Sequence, residues 1–497
     1  MKYLIIISLF LSVLLQQANA QTLDYAYRMS NLRVNGTARA SAMGNAFGAL
    51  GGDFTSLSIN PAGIGIYRTN EFVITPVLNF NNSEYNLNEI KFTDNKYHIK
   101  ANNMGLVGVV NTNSENSGLV SFNFGLGYNN LVDFNQNYYG KNDNSANSFL
   151  DGVVNYANVQ NLSNSYLNKK IGNIEYRDWP TKLAWDTYLI NPAKDSNGKD
   201  IDGSYESLLF KDEKVNQMKS YTQSGGINEF VFSGGLNFNH KFYLGATLGF
   251  QDVDLKQLTE YTETFGANSY TFGEDYSLKG SGYNFKIGTI FKPTNNIRLG
   301  LALHSPTYYV LKEKKNIFID SKLVDNTISD GTNYYDYNFL SPWKAIFSGA
   351  YVFNKRGLIS FDAEYLDYSA MKYERSSSSN QNLNDVNTLI SNNFQNALNI
   401  RVGGELKITP QFCLRAGYEM YPNSQKNTDV NYVQPIALDN STVYAAGFGY
   451  ASKSFYTDVT FRNVKDKYLL NEVQPNFKNI NLQNSNNKIM VTLGFKF

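Results

Sequence analysis

Three histidines and one cysteine are the residues of this chain best suited to catalysis or metal binding, and their spacing supports neither. His98, His240 and His304 lie far apart, with no metal-ligand spacing among them. No nucleophile motif accompanies any of them, so hydrolase chemistry is not expected; the one candidate base is His304. Cys413 is the single cysteine, which excludes an intramolecular disulfide and a multi-cysteine metal site. A formal net charge of +1 gives no reason to expect nucleic acid as a partner. No cofactor and no metal are expected.

The charged residues that remain informative are those embedded in apolar alternation: Arg298, Asp362, Glu364, Arg401, Glu405, Arg415 and Glu419, with Asp458 and Arg462. Each falls on the face opposite the large apolar residues. Turned toward lipid near mid-membrane, each arginine would cost about 2–4 kcal/mol, so these groups are expected to point into an enclosed lumen. Across a tight turn at Thr409–Gln411, Ile408 opposite Phe412 sets Glu405 beside Arg415 and Arg401 beside Glu419. Two roles are open for such pairs, stitching of a wall or contact with a ligand.

The elements that must position these groups are strands. From about residue 70 onward, alternation with period two recurs. In Leu119 to Tyr128, Val120, Phe122, Phe124, Leu126 and Tyr128 share one face, and Ser121, Asn123, Gly125 and Gly127 the other. Fourteen such segments are expected, centred on 70–81, 101–112, 117–130, 229–239, 241–252, 280–293, 297–308, 341–353, 358–369, 397–408, 412–421, 442–451, 454–463 and 488–497. Each is roughly ten to fourteen residues, enough to cross a bilayer at a tilt. The connections alternate short and long. Short ones fall at Asn113–Asn116, His240, Thr294–Asn296, Asn354–Gly357, Thr409–Gln411 and Ser452–Lys453. Long ones fall at 82–100, 131–228, 253–279, 309–340, 370–396, 422–441 and 464–487. Tight turns on one rim and long loops on the other are the pattern of outer-membrane barrels. Backbone groups in a bilayer must all be paired, so the sheet is expected to close. The expected fold is all-β: a 14-stranded antiparallel transmembrane β-barrel, both ends periplasmic, in the bacterial outer membrane. A mean hydropathy of −0.37 agrees with this, because only alternate residues face lipid, and 36 Tyr, 33 Phe and 38 Gly suit aromatic girdles and a crowded bore.

The two ends carry signals of their own. Lys2, an apolar run from Leu4 to Leu15 and Ala18-Asn19-Ala20 read as an export signal over 1–20, cleaved before Gln21. The last strand alternates Ile489, Val491, Leu493, Phe495 and Phe497, and ends on an aromatic residue, as substrates of the barrel-assembly machinery do. Residues 21–69 are rich in small residues and do not read as a spanning strand. They are compatible with a plug inside the barrel or with a tail outside it. Their glycines lack the strand–turn–helix context of a phosphate-binding loop.

Two stretches resemble a known family. Ala42-Met43-Gly44-Asn45-Ala46-Phe47-Gly48 through Asn60-Pro61-Ala62 is similar to the N-terminal hatch of the long-chain fatty-acid transporter (FadL/TodX) family. Gly282 to Gly288, Lys292 to Asn296, Arg298 to Leu301 and Ser305-Pro306 resemble a strand–turn–strand in the middle of that family. The resemblance implies a monomeric barrel (70–497) in outer-membrane lipid, plugged by its N-terminal hatch (21–69). It further implies passive passage of small hydrophobic molecules, fatty-acid or aromatic-hydrocarbon in type, with lateral exit near the third strand. The alternative it carries is a barrel that docks cargo proteins in an outer-membrane secretion system. The long insert at 131–228 departs from the family. Within it, Phe149 to Leu167 and Trp179 to Ile190 are expected to be helical, as is Leu383 to Phe394 elsewhere. Trp179, Leu183, Trp185 and Tyr188 are candidates to line an extracellular mouth for greasy molecules, or to pack the loop itself.

Overall fold

The computed structural model describes residues 23–497 apart from 88–89, 113–117, 211–212, 324–326, 354–355, 378–381, 427–435, 438 and 471–479. The expected export signal at 1–20 and the expected turn at Asn113–Asn116 lie outside these residues. Among the described residues, fourteen antiparallel strands form one closed barrel. They are β1 (Glu71–Leu87), β2 (Ile90–Asn111), β3 (Leu119–Asp133), β4 (Val215–Phe238), β5 (Phe242–Phe265), β6 (Asn268–Phe291) and β7 (Ile297–His304). There follow β8 (Lys344–Phe353), β9 (Gly357–Asp367), β10 (Asn396–Lys407), β11 (Phe412–Tyr421), β12 (Ser441–Ala451), β13 (Phe455–Leu470) and β14 (Ile480–Lys496). Each strand pairs with the next in this order, and β14 pairs with β1, Phe495 opposite Phe72, so no edge is left open.

Alternation explains the wall. Phe122, Phe124 and Leu126 face outward and exposed, while Ser121 and Asn123, which alternate with them, are buried inside. The same holds for Tyr283, Phe285 and Ile287, and for Leu299, Leu301 and Leu303. Exposed apolar side chains ringing a closed barrel are what a bilayer solvates. At one rim the turns are tight: Asn239 and His240 both take positive φ, the geometry that brings a right-twisted hairpin round in few residues.

At the opposite end the strands run much further than expected. β4, β5 and β6 are 24 residues each, so most of the expected loop 253–279 is an extended hairpin. Tyr308–Ser321 and Thr327–Leu340 likewise form a hairpin in place of a loop, paired to β6. The expected strands, roughly ten to fourteen residues each, span only the apolar belt. Above the apolar belt those residues become polar, as with the exposed Lys312 and Lys314, while the inward tyrosines continue. Backbone pairing does not need lipid and carries on. The described residues within 136–210 form a cap of short helices and strands over this end, including Phe149–Val159 and Trp179–Asp186. Its helix Phe149–Val159 is anchored to the barrel by Glu263 of β5, which accepts from the Phe149 amide at 2.9 Å and from Tyr261 at 2.6 Å.

The N-terminal segment lies in the barrel. It consists of helix α1 (Leu23–Ser30), the short helices Ala38–Ala42 and Ser56–Ile59, and a 3₁₀ helix Pro61–Ile66. Nearly all of residues 35–65 are buried.

Candidate functional site

Glycines on the inner wall form the seat of the N-terminal segment. Gly235, Gly245 and Gly288 stand side by side on β4, β5 and β6. A Cβ at Gly245 would overlap the Pro61 carbonyl, and one at Gly288 the Asn60 side chain. Across the bore, Gly403 and Gly417 are paired on β10 and β11 and accept the backbone of Met43 and Gly44 in the same manner. Gly300 lies against the Gly48 carbonyl. Only residues without a side chain let two backbones approach so closely.

That seat gives the Asn60-Pro61-Ala62 run its physical reason. The Asn60 Oδ1 accepts from the Ala62 amide at 3.2 Å and caps the 3₁₀ helix, whose first residue is Pro61. Its Nδ2 donates to the Gly48 carbonyl at 2.6 Å and to the Thr289 carbonyl of β6 at 3.0 Å. One side chain thus ties the turn, the rest of the segment and the wall together. Ala62 is fully buried beside Tyr243 and Ile290.

The expected lumen residues all face inward, and most reach this segment. Arg298 donates to the Leu50 carbonyl at 2.8 Å, and Asp362 accepts from the Gly48 amide at 3.0 Å. Glu405 pairs with Arg415 at 2.7 Å, and each has a second partner: Arg39 of the segment lies 3.2 Å from Glu405, and Asp458 lies 2.5 Å from Arg415. The expected pairing of Arg401 with Glu419 is not made. The two are opposite in register, yet Arg401 bonds Glu364 at 2.5 Å, and Glu419 takes Arg462 at 2.9 Å. In a closed barrel every strand has two neighbours and long side chains reach past them, so adjacency in one hairpin does not decide the partner. Glu419 also accepts from Asn45 of the segment at 3.2 Å.

Because Glu405 and Arg415 belong to a chain of four charges, exchanging them is not neutral. The double variant Glu405→Arg with Arg415→Glu sets like charges against Arg39 and Asp458. It is expected to unfold at lower denaturant concentration, by about 1–3 kcal/mol in stability. Wild-type stability in the exchanged protein would mean that the two groups act as an isolated pair.

Other inward groups had no distinguishing local signal. Glu229 on β4 is fully buried and bound by Lys286 of β6 at 2.7 Å, with Gln251, Asn284 and Ser58 also donating to it. His304 bonds the Ile59 carbonyl through Nε2 at 2.9 Å, so it is occupied in holding the segment. Among the described residues, no group of three His, Cys, Asp or Glu side chains is placed to hold a metal ion.

Toward the cap, the bore carries a large apolar cluster. Leu131, Ile227, Val253, Leu278, Leu311 and Phe339 form a single buried cluster there, and Leu23, Tyr25, Ala26 and Met29 of α1 fill it. The Tyr25 ring stacks on Tyr276 at 4.5 Å. Asp24 and Arg28, one turn apart, pair at 2.7 Å on the polar side of α1. Burial pushes the Asp24 carboxyl up, against the attraction of Arg28. The apolar spacing of Leu23, Ala26 and Met29 was the available signal for this helix. Of the residues considered for a greasy mouth, Trp179 and Leu183 are buried inside the cap and offer no surface, Trp185 is half-buried, and Tyr188 is exposed. The cap needs a core of its own, and these side chains supply it.

The family described as outer membrane protein transport protein (OMPP1/FadL/TodX) matches residues 221–496. No curated protein matches the sequence. Several solved barrels share the fold. A Pseudomonas aeruginosa FadL homologue is 13% identical with a TM-score of 0.52, over 94% of this chain and 99% of that one. The P. putida toluene transporter TodX is 12% identical with a TM-score of 0.51, over 92% and 98%. The Ralstonia pickettii toluene transporter TbuX is 13% identical with a TM-score of 0.50, over 94% and 99%.

Proposed function

We propose, from the premise that this chain belongs to the OMPP1/FadL/TodX family of outer membrane transport proteins, that it is a passive channel for small hydrophobic molecules with its N-terminal segment as the gate. The observation that carries this reading is the apolar lining of the bore on the cap side, packed on α1 and continuous with a buried, polar-laced plug. A hydrophobic solute gains free energy on leaving water for such a lining, at roughly 25 cal/mol per Å² of apolar surface. The plug blocks water and ions, which have no such gain. Residues 21–69 are the gate, 70–497 the barrel, and the insert at 131–228, which carries the cap, lies on the extracellular side with both chain ends in the periplasm. The exposed terminal Phe497 is the residue offered to the assembly machinery. The family relatives TodX and TbuX, as toluene transporters, make monoaromatic hydrocarbons the first substrates to try.

The test is to lock the gate. The Asn129 side chain of β3 donates to Ser58 of the segment at 3.0 Å. Cysteines at both positions, with Cys413→Ser to remove the native thiol, place one sulfur on the plug and one on the wall. Oxidised cells are expected to lose toluene uptake to the level of cells lacking the protein, and a reductant restores it. Undiminished uptake by the oxidised protein would overturn the gate.

A further inference from the structure

We propose that the apolar stretch of the bore packed on α1 selects hydrophobic molecules bearing a cationic amine, through a buried carboxylate set among tyrosines. The inference rests on the channel reading above and specifies its substrate.

Glu313 belongs to the hairpin strand Tyr308–Ser321 and points into the bore with 2% of its surface exposed. Its two outward neighbours, Lys312 and Lys314, are exposed, which sets it above the apolar belt. One carboxyl oxygen, Oε2, accepts from Tyr337 at 2.9 Å and from Tyr276 at 3.2 Å. The other, Oε1, is buried without a hydrogen-bond partner. Buried carboxyl oxygens are normally satisfied, and one left open costs the full desolvation penalty. Around it stand five tyrosines from four elements: Tyr25 of α1, Tyr276 of β6, Tyr335 and Tyr337 of Thr327–Leu340 and Tyr373 of Lys372–Arg375. Tyr337 and Tyr373 meet edge to face at 5.4 Å, and Tyr25 covers Tyr276.

A buried acceptor oxygen with tyrosine side chains around it is the chemistry that binds an ammonium group. The carboxylate supplies a charge-assisted hydrogen bond, and the ring faces supply cation–π attraction. The leucines and valines of the same cluster accept the alkyl or aromatic body. A fatty-acid carboxylate presents the wrong sign here and is disfavoured by repulsion. Tyr25 and the rest of α1 close this cluster, so an incoming head group displaces α1 as it enters and is left with Tyr276, Tyr335, Tyr337 and Tyr373 around the carboxylate.

The groups facing Glu313 are Tyr25, Tyr276, Tyr335, Tyr337 and Tyr373, with Lys315 and Glu274 paired to each other at 3.0 Å. Burial pushes the Glu313 carboxyl up to about 8, the tyrosine hydrogen bonds and Lys315 opposing the shift. An alkylamine keeps its proton to about pH 10. Its binding therefore strengthens as pH rises from 6 to 9 and the carboxyl ionises.

The experiment is equilibrium dialysis of the full-length barrel in detergent against dodecylamine, dodecanol and dodecanoate at pH 6 and pH 9. At pH 9 dodecylamine is expected to bind about tenfold or more tighter than dodecanoate, with an affinity that rises with pH. Glu313→Gln removes both the preference and the pH dependence while dodecanol binding stays. Equal or tighter binding of dodecanoate to the wild-type protein overturns the amine proposal and leaves the channel standing; this comparison needs no variant. Failure of dodecylamine to bind likewise overturns the amine proposal, while the channel reading stands or falls separately on toluene uptake.

Discussion

Gly417→Val is expected to unseat the plug and make the barrel leak. A Cβ at this position falls on the Gly44 amide and the Met43 carbonyl carbon, which are backbone atoms that no side-chain rotation can clear. Gly44 has a positive φ of 59°, so its own chain has little room to re-route. Overpacking of this kind costs about 1–3 kcal/mol and more where backbone must move. Of the two bodies in contact, the wall is a closed ladder of paired strands, whereas the plug is held by separate side-chain bonds. The plug is the part that yields. The expected result is a barrel that still assembles, conducts ions in planar bilayers where the wild-type protein does not, and sensitises cells to polar antibiotics. A folded Gly417→Val barrel with wild-type conductance would show that the seat does not hold the plug closed.

The second large effect is expected on stability. Lys286→Met leaves Glu229 fully buried with only neutral donors, Gln251, Asn284 and Ser58, to hold its charge. Removing one partner of a buried ion pair costs about 3–5 kcal/mol, because the remaining charge cannot return to water. Glu229→Gln with Lys286→Met removes the charge as well and is expected to recover most of that loss. Denaturant unfolding of the three proteins in the same lipid or detergent measures both changes. A single variant as stable as the wild-type protein would mean that Glu229 is protonated or hydrated in the native state. Ser58 bonds Glu229, so the pair also ties the plug to the wall, and the single variant should raise conductance modestly, in the same sense as Gly417→Val.

What the sequence determined by itself was whatever adjacent residues decide among themselves. The period of two in Leu119 to Tyr128 needs no knowledge of the rest of the chain, because successive side chains on a strand point to opposite faces. Strand order, the outward faces and the Glu405–Arg415 contact follow from that period and from the tight turn at Thr409–Gln411. The Asn60-Pro61-Ala62 run was legible as a motif, though not as a cap bonded to β6. The tertiary structure alone decided the rest. Arg401 turns to Glu364 and Glu419 to Arg462, because closure offers partners from several strands at once. Trp179 and Leu183 are buried because the cap folds on itself. The glycine seat joins β4 to β6 on one side and β10 to β11 on the other, and the Glu313 cage takes its tyrosines from residues as far apart as Tyr25 and Tyr373. Such sites exist only in the enclosed bore, where side chains remote in the chain share one space without water, and no local pattern in the sequence records which of them will meet.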